Sequence, residues 1–484
     1  MLDRRRAGVL LHVTSLPGRY GNGDFSHDAY RFVDFLADAG FSVWQTLPLG
    51  HTLSDGSPYQ CLSAHAGNPL LISLDWLVDR GWLDGPLTPD IDTAKWRSAR
   101  LREAYQNFLA RADAASRHDL TEFAMQHAHW LADYALFIAL REASDRKPWC
   151  DWPKGLRERN PAALQKARTK HAAAIGQYQF EQWLFFTQWL ELRRYAAGHG
   201  VFMYGDLPIF VAGDSADVWS KRKCFLLDEQ GKETVVAGVP PDYFSELGQR
   251  WGNPLFNWEC MAKDDFRWWH ERVQSQLELF DWIRIDHFRG LEAYWEIPAI
   301  EANAIRGRWV KAPGQALLDS LHRHFAQLPL IAEDLGIITP EVQALRDRYD
   351  IPGMFVLQFA FDGDPHNFYL PHNHRPNGVV YTGTHDNDTT LAWYQGLSLE
   401  QQQAVYAYLG NVADPMPLAL ARCALASCAK MAILPMQDIL ELGAGARMNT
   451  PGTVVNNWNW RFAWPQVSTT AVDCLRRWIR LYGR

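Results

Sequence analysis

Phe280-Asp281-Trp282-Ile283-Arg284-Ile285-Asp286-His287-Phe288-Arg289-Gly290 reads as a short strand over residues 282–285, with Arg284 inside it and Asp286 and His287 at its end. Strands of a buried parallel sheet read as apolar runs, and in barrel enzymes their carboxyl ends face the ligand. A carboxylate with an arginine two residues back and a histidine one residue on is expected to stay ionised. Opposite charge and hydrogen bonds to the charged form both lower a carboxylate pKa. Such an aspartate is equipped to be a covalent nucleophile, and equally to be half of an ordinary ion pair.

Two other stretches repeat the pattern. Leu328-Pro329-Leu330-Ile331-Ala332 runs into Glu333-Asp334-Leu335-Gly336, and Val379-Val380-Tyr381-Thr382-Gly383-Thr384 runs into His385-Asp386-Asn387-Asp388. Three acids from three strand ends suit glycoside chemistry, which needs a nucleophile, a general acid/base and a group that grips the sugar. Glu333 and Asp334 compete for one place, because adjacent strand residues point to opposite faces. Histidines beside acids also attract divalent ions. No H-E-x-x-H or H-x₃₋₅-H spacing accompanies His287 and His385, so no metal is expected.

Working outward, eight apolar runs alternate with helical patterns. The runs are 8–15, 42–49, 201–211 (which delivers Asp206), 282–285, the run ending at Glu333, 353–359, 379–384 and 431–436. Helices are expected over 26–39 (stopped by Gly40), 264–279, 339–349, 398–409, 417–429 and 472–482. This alternation predicts an α/β fold, one (β/α)8 barrel over residues 1–484. Residues 51–82 form a loop insertion at the mouth. Residues 93–198 lose strand signals and predict a helical insertion, with helices over 120–143 and 180–197 and a polar connection at 157–170. Its aromatic run Phe180 to Phe186 reads as core packing. Residues 213–257, rich in Gly and Pro, predict a long irregular lid. No internal repeat, low-complexity tract or C-terminal β-domain is visible.

The chain has 484 residues, 47% of them hydrophobic, and a net charge of −7 without a basic patch, which argues against nucleic acid. It carries 22 Trp, 17 Tyr and 24 Phe, more than a core alone requires and suited to stacking on sugars. Seven scattered cysteines without a C-x-x-C pair point to reduced thiols and a cytoplasmic location. The start of the chain is too short and too polar for a signal peptide. No apolar stretch is long enough for a membrane span.

The motifs 283–289, 332–336 and 383–388 resemble those of the 4-α-glucanotransferases, the amylomaltases or disproportionating enzymes of the α-amylase clan. So do Leu11 to Gly18, Gly56-Ser57-Pro58-Tyr59, Gly205 to Val211, Arg250-Trp251-Gly252-Asn253-Pro254 and Asn449 to Thr453. The resemblance implies Asp286 as nucleophile, Glu333 in preference to Asp334 as general acid/base, and Asp386 as transition-state stabiliser. It implies sugar contacts by Arg284, His287, His385 and Asp206, with a barrel-rim hydrogen bond the alternative for Asp206. It places Ser57 and Tyr59 on the donor side, and Gln249 and Trp251 on the acceptor side. Asn456 and Asn457 read as polar contacts at the mouth, with a turn role for at least one. The implied substrates are maltooligosaccharides and α-1,4-glucans, without a cofactor. The implied reaction is retaining transfer of a glucan segment to a 4-hydroxyl. The alternatives are hydrolysis by the same machinery and a non-catalytic glucan binder.

Overall fold

Alternation along eight short strands sorts their side chains into two cores. One member from every strand (Leu10, Val43, Tyr204, Trp282, Ile331, Met354, Val379 and Ile433) packs into an inner core. Their neighbours, among them Val9, Trp44, Met203, Ile283, Leu330, Phe355, Val380 and Leu434, join an outer core shared with the helices. This is the layering of a filled barrel, in which the interior is packed and not a pore.

The computed structural model describes residues 3–88, 93–241 and 245–484. The strands are β1 (Arg6–Leu10), β2 (Val43–Gln45), β3 (Phe202–Leu207), β4 (Trp282–Ile285), β5 (Leu330–Ala332), β6 (Gly353–Val356), β7 (Gly378–Tyr381) and β8 (Met431–Pro435). All pair in parallel, in the order β6-β7-β8-β1-β2-β3-β4-β5. The Ala332 N–H donates to the Pro352 carbonyl at 2.8 Å and joins β5 to β6. The fold is the expected (β/α)8 barrel. Several strands end sooner than their apolar runs. After β1 the chain turns into a 3-10 helix at Val13–Ser15, and after β6 into another at Leu357–Phe359. Val13, Ser15, Leu357 and Gln358 stay buried after the ladder has ended.

The helix His27–Ala39 ends at Gly40, whose φ of +87° is the left-handed stop that favours glycine. Residues 93–198 are helical as expected, with different breaks. The run expected over 120–143 is two helices, Ala114–Gln126 and Leu131–Ala143. The expected polar connection contains a helix of its own, Pro161–Lys170, capped by the Asn160 carboxamide. Phe180, Trp183, Phe185 and Phe186 are buried.

The long helix Ala172–Gly198 also braces the 51–82 insertion. The Gln182 side chain accepts from Gly67 N–H at 2.8 Å and donates to the Gly67 carbonyl at 2.9 Å. Gln188 does the same for Ser73, at 2.7 and 3.3 Å. Two buried glutamines thus satisfy loop backbone that no ladder satisfies.

The expected irregular lid is a correction. Within 213–257 lie strands Val235–Val239 and Gln249–Pro254. They pair with Ala293–Pro298 and Arg308–Lys311 in a four-stranded antiparallel sheet beside the barrel mouth. Residues 242–244 of that stretch lie outside the described residues. Among the described residues no helix is long and apolar enough to cross a membrane.

Candidate active site

Strand parity assigns the acids. Ile331 faces the barrel interior while Leu330 and Ala332 face the helices. Continuing the alternation turns Glu333 inward and Asp334 outward. Asp334 is 3% exposed; it pairs with Arg346 and accepts the Met354 N–H at 2.8 Å. Glu333 lines a cleft of about 980 Å³ over the carboxyl ends of the strands, together with Asp286 and Asp386.

The same parity places Arg284 inside the barrel above Trp282. Arg284 Nη1 donates to both oxygens of Asp206, at 2.8 and 2.6 Å, and Nη2 lies 2.8 Å from Asp286 Oδ1. The Tyr59 hydroxyl completes the shell of Asp206, donating to Oδ2 at 2.7 Å. Asp206 is 1% exposed and does not line the cleft. In this structure it is the inner partner of Arg284.

Glu333 is held by backbone donors. His287 N–H reaches Oε2 at 2.7 Å and Leu335 N–H reaches Oε1 at 3.0 Å. The His287 N–H is aimed there because the residue adopts a left-handed φ of +52° as the chain leaves β4. The His287 ring lines the cleft, edge-on to Trp251 at 4.8 Å, with Nε2 unpartnered. Burial pushes this ring down to about 3, so it is neutral and lends Asp286 no positive charge, contrary to the expectation from sequence.

Asp386 Oδ1 accepts from Asn449 Nδ2 at 2.6 Å. His385 lies behind it, with Nε2 3.3 Å from Asp386 Oδ1 and 2.9 Å from the Tyr59 hydroxyl, and its ring stacked on Tyr59 at 5.3 Å. His385 is 8% exposed and braces Asp386 from behind. Ser57, Tyr59, Gln249, Trp251 and Asn457 all line the cleft. Ser57 Oγ accepts the Tyr59 N–H at 3.3 Å, and Gln249 Oε1 accepts from Trp251 Nε1 at 3.2 Å. The Asn457 amide is engaged at both ends within its own loop, by Thr450 N–H at 3.0 Å and the Thr453 carbonyl at 2.9 Å. It is a turn brace, next to Asn456 at φ +61°.

One arginine thus serves several carboxyls. Burial pushes Asp286 up to about 8, with Arg284 opposing and Asp206, Glu333 and Asp386 adding to the rise. Sequence reasoning predicted the opposite direction, because it saw the arginine and not the burial. Burial raises Glu333 too, against Arg284 and the two backbone N–H groups. Asp286 and Glu333 titrate as a pair. Arg284 opposes the rise at both carboxyls and touches Asp286 directly.

A family description, 4-alpha-glucanotransferase, matches residues 11–467. The 4-alpha-glucanotransferase of Thermus thermophilus is 49% identical over 472 residues, covering 94% of each chain. That of Synechocystis sp. is 46% identical over 499 residues, covering 100% of this chain and 99% of the relative. An amylomaltase from Streptococcus agalactiae, solved in complex with acarbose, superposes with a TM-score of 0.95 at 36% identity, over 99% of this chain and 100% of that one. The chain belongs to the 4-α-glucanotransferase family.

In this 4-α-glucanotransferase-family site the sequence motifs hid some supporting residues. Asn449 lay in a quoted motif without a role. Trp458 lines the cleft 5.9 Å from the Tyr59 ring. Asp438, after β8, is 1% exposed and clamps both ends of the loop that carries Asp386. It accepts from the Thr382 hydroxyl at 2.6 Å on one side, and from the Thr390 hydroxyl at 2.6 Å and N–H at 3.0 Å on the other. An acid soon after an apolar run, at Gln437-Asp438, was the one available signal.

Two outcomes are expected. Activity should fall as pH rises through about 8, where the Asp286–Glu333 pair loses its shared proton, and fall again in acid once both carboxyls are protonated. A kcat/KM profile flat from neutral to well above 8 would contradict this. Asp438→Ala should lower kcat by about tenfold to a hundredfold while the protein stays folded, because the Asp386 loop loses its clamp. Unchanged kcat with an unchanged circular dichroism spectrum would contradict the clamp.

Proposed function

We propose that this 4-α-glucanotransferase works by double displacement, with Asp286 as nucleophile, Glu333 as general acid/base and Asp386 as the group that grips the reacting sugar. The observation that carries the assignment is the asymmetry of the two buried acids: Arg284 touches Asp286, while Glu333 holds only backbone donors.

In the first step the Asp286 carboxylate attacks the anomeric carbon of a 1,4-linked glucan. The glycosidic bond breaks, and its oxygen takes the Glu333 proton as the leaving chain departs with a free 4-hydroxyl. The glucan segment is left as an ester on Asp286. Glu333, now ionised, removes the proton from the 4-hydroxyl of an acceptor, glucose or another glucan. That oxygen attacks the same carbon and frees Asp286, so the α configuration is retained. Asp386, fixed by Asn449 and His385, binds ring hydroxyls whose contacts tighten as the oxocarbenium-like state flattens the ring.

Water competes with the acceptor for the ester. Trp251 and the His287 ring stand edge to face at the cleft wall beside Gln249. Such a wall holds a sugar acceptor in place and excludes water, which favours transfer. Ser57 and Tyr59 line the cleft from the 51–82 loop and serve the donor chain. The substrates are maltooligosaccharides and longer α-1,4-glucans. The seven cysteines are all free thiols, which supports a cytoplasmic location.

Maltotriose fed to the protein should yield glucose together with longer oligomers, at a constant number of reducing ends. A rise in reducing ends without longer products would show a hydrolase. Asp286→Asn should abolish turnover, and Glu333→Gln should lower it by about a thousandfold or more, both without unfolding. A folded variant with near-normal turnover would overturn the assignment.

A further inference from the structure

The cleft continues beyond Trp251 to Trp309, on the edge strand Arg308–Lys311 of the same antiparallel sheet. Trp309 is 40% exposed, unusual for so large an apolar side chain. Its ring lies over the Arg289 guanidinium, 3.8 Å from the ring centroid, and meets Trp295 edge-on at 5.2 Å. The guanidinium takes one face of the ring, and the residue still keeps 40% of its surface open.

Arg289 stands three residues beyond Asp286, in a 3-10 turn over Phe288–Leu291. It is 7% exposed and lines the cleft. Nη1 donates to the Ile337 carbonyl, and Nε is buried without a partner. Ile337 itself lines the cleft, four residues past Glu333. The pair therefore presents an indole face held rigid by a stacked cation, beside guanidinium nitrogens. A pyranose in a 1,4-linked chain offers an apolar C–H face for the indole and hydroxyls that accept from guanidinium. Protein packing alone gives no reason to leave this indole open in the lining of the cleft.

We propose that Trp309, backed by Arg289, forms a further subsite for an α-1,4-glucan chain, beyond the sugar held at Gln249 and Trp251. The subsite is on the acceptor side, because Trp309 shares a sheet with Gln249 and Trp251, and Arg289 is bonded to the loop that follows Glu333. Short acceptors end before it and long acceptors reach it. The inference rests on the transferase reading above.

The test uses the full chain with one glycosyl fluoride donor and acceptors from glucose to maltoheptaose. Trp309→Ala should raise KM for maltoheptaose about fivefold, with a penalty that shrinks as the acceptor shortens and with kcat largely kept. Trp309→Phe, which keeps an aromatic face, should recover most of the loss. An equal loss for every acceptor length would mean that Trp309 acts only through Arg289 on the fold, and no loss at any length would mean that no sugar rests there; either overturns the subsite. Wild-type turnover of the same donor without longer products would instead defeat transfer itself, and the acceptor subsite with it.

Discussion

Arg284 is a cation placed inside a barrel, and the site is arranged around it. It is 4% exposed and its charge is balanced by Asp206 below and Asp286 above. A buried charge of this kind is tolerated only when paired and hydrogen-bonded, and removing one partner costs about 3–5 kcal/mol. The pairing also fixes geometry. Asp206 and Arg284 sit opposite each other in the β3–β4 register, so the guanidinium has little freedom to follow a moving Asp286. Asp286, the proposed nucleophile, is therefore held by the sheet and not by a loop.

The other elements complete what that cation begins. Residues 287, 288 and 289 each bond to the segment after β5, through Glu333 Oε2, the Glu333 carbonyl and the Ile337 carbonyl. Glu333 is thus tied to the strand that carries Asp286. Asp438 and Asn449 set Asp386 from the β8 side, and the helical insertion holds the Tyr59 loop through Gln182 and Gln188. Each of the three acids has a rigid neighbour, which is what a preorganised site needs.

The eight strands and the three acids were legible because each acid follows an apolar run, a local signal. The choice between Glu333 and Asp334 was not legible without the resemblance. Leu330, Ile331 and Ala332 are all apolar, so nothing local says which face is the interior. The antiparallel sheet was missed because Val235–Val239 is short, contains Gly238 and finds its partner Ala293–Pro298 far along the chain. The sugar contacts expected of Asp206 and His385 came from the resemblance and not from any local signal. Their burial behind Arg284 and Asp386 depends on packing from several elements. The rise at Asp286 had the same origin: charge partners can be read from neighbours in sequence, and desolvation cannot.

The central claim is a covalent bond between a sugar and Asp286. A maltosyl fluoride donor needs no proton for its leaving group, so Glu333→Gln protein should still form the ester but lack the base to release it. After an acid quench, mass spectrometry of peptic fragments should find the glycosyl mass on the peptide containing Asp286, and none once Asp286→Asn is added. A folded Glu333→Gln protein that consumes the fluoride yet carries no sugar on that peptide, or carries it on Asp386, would contradict the claim.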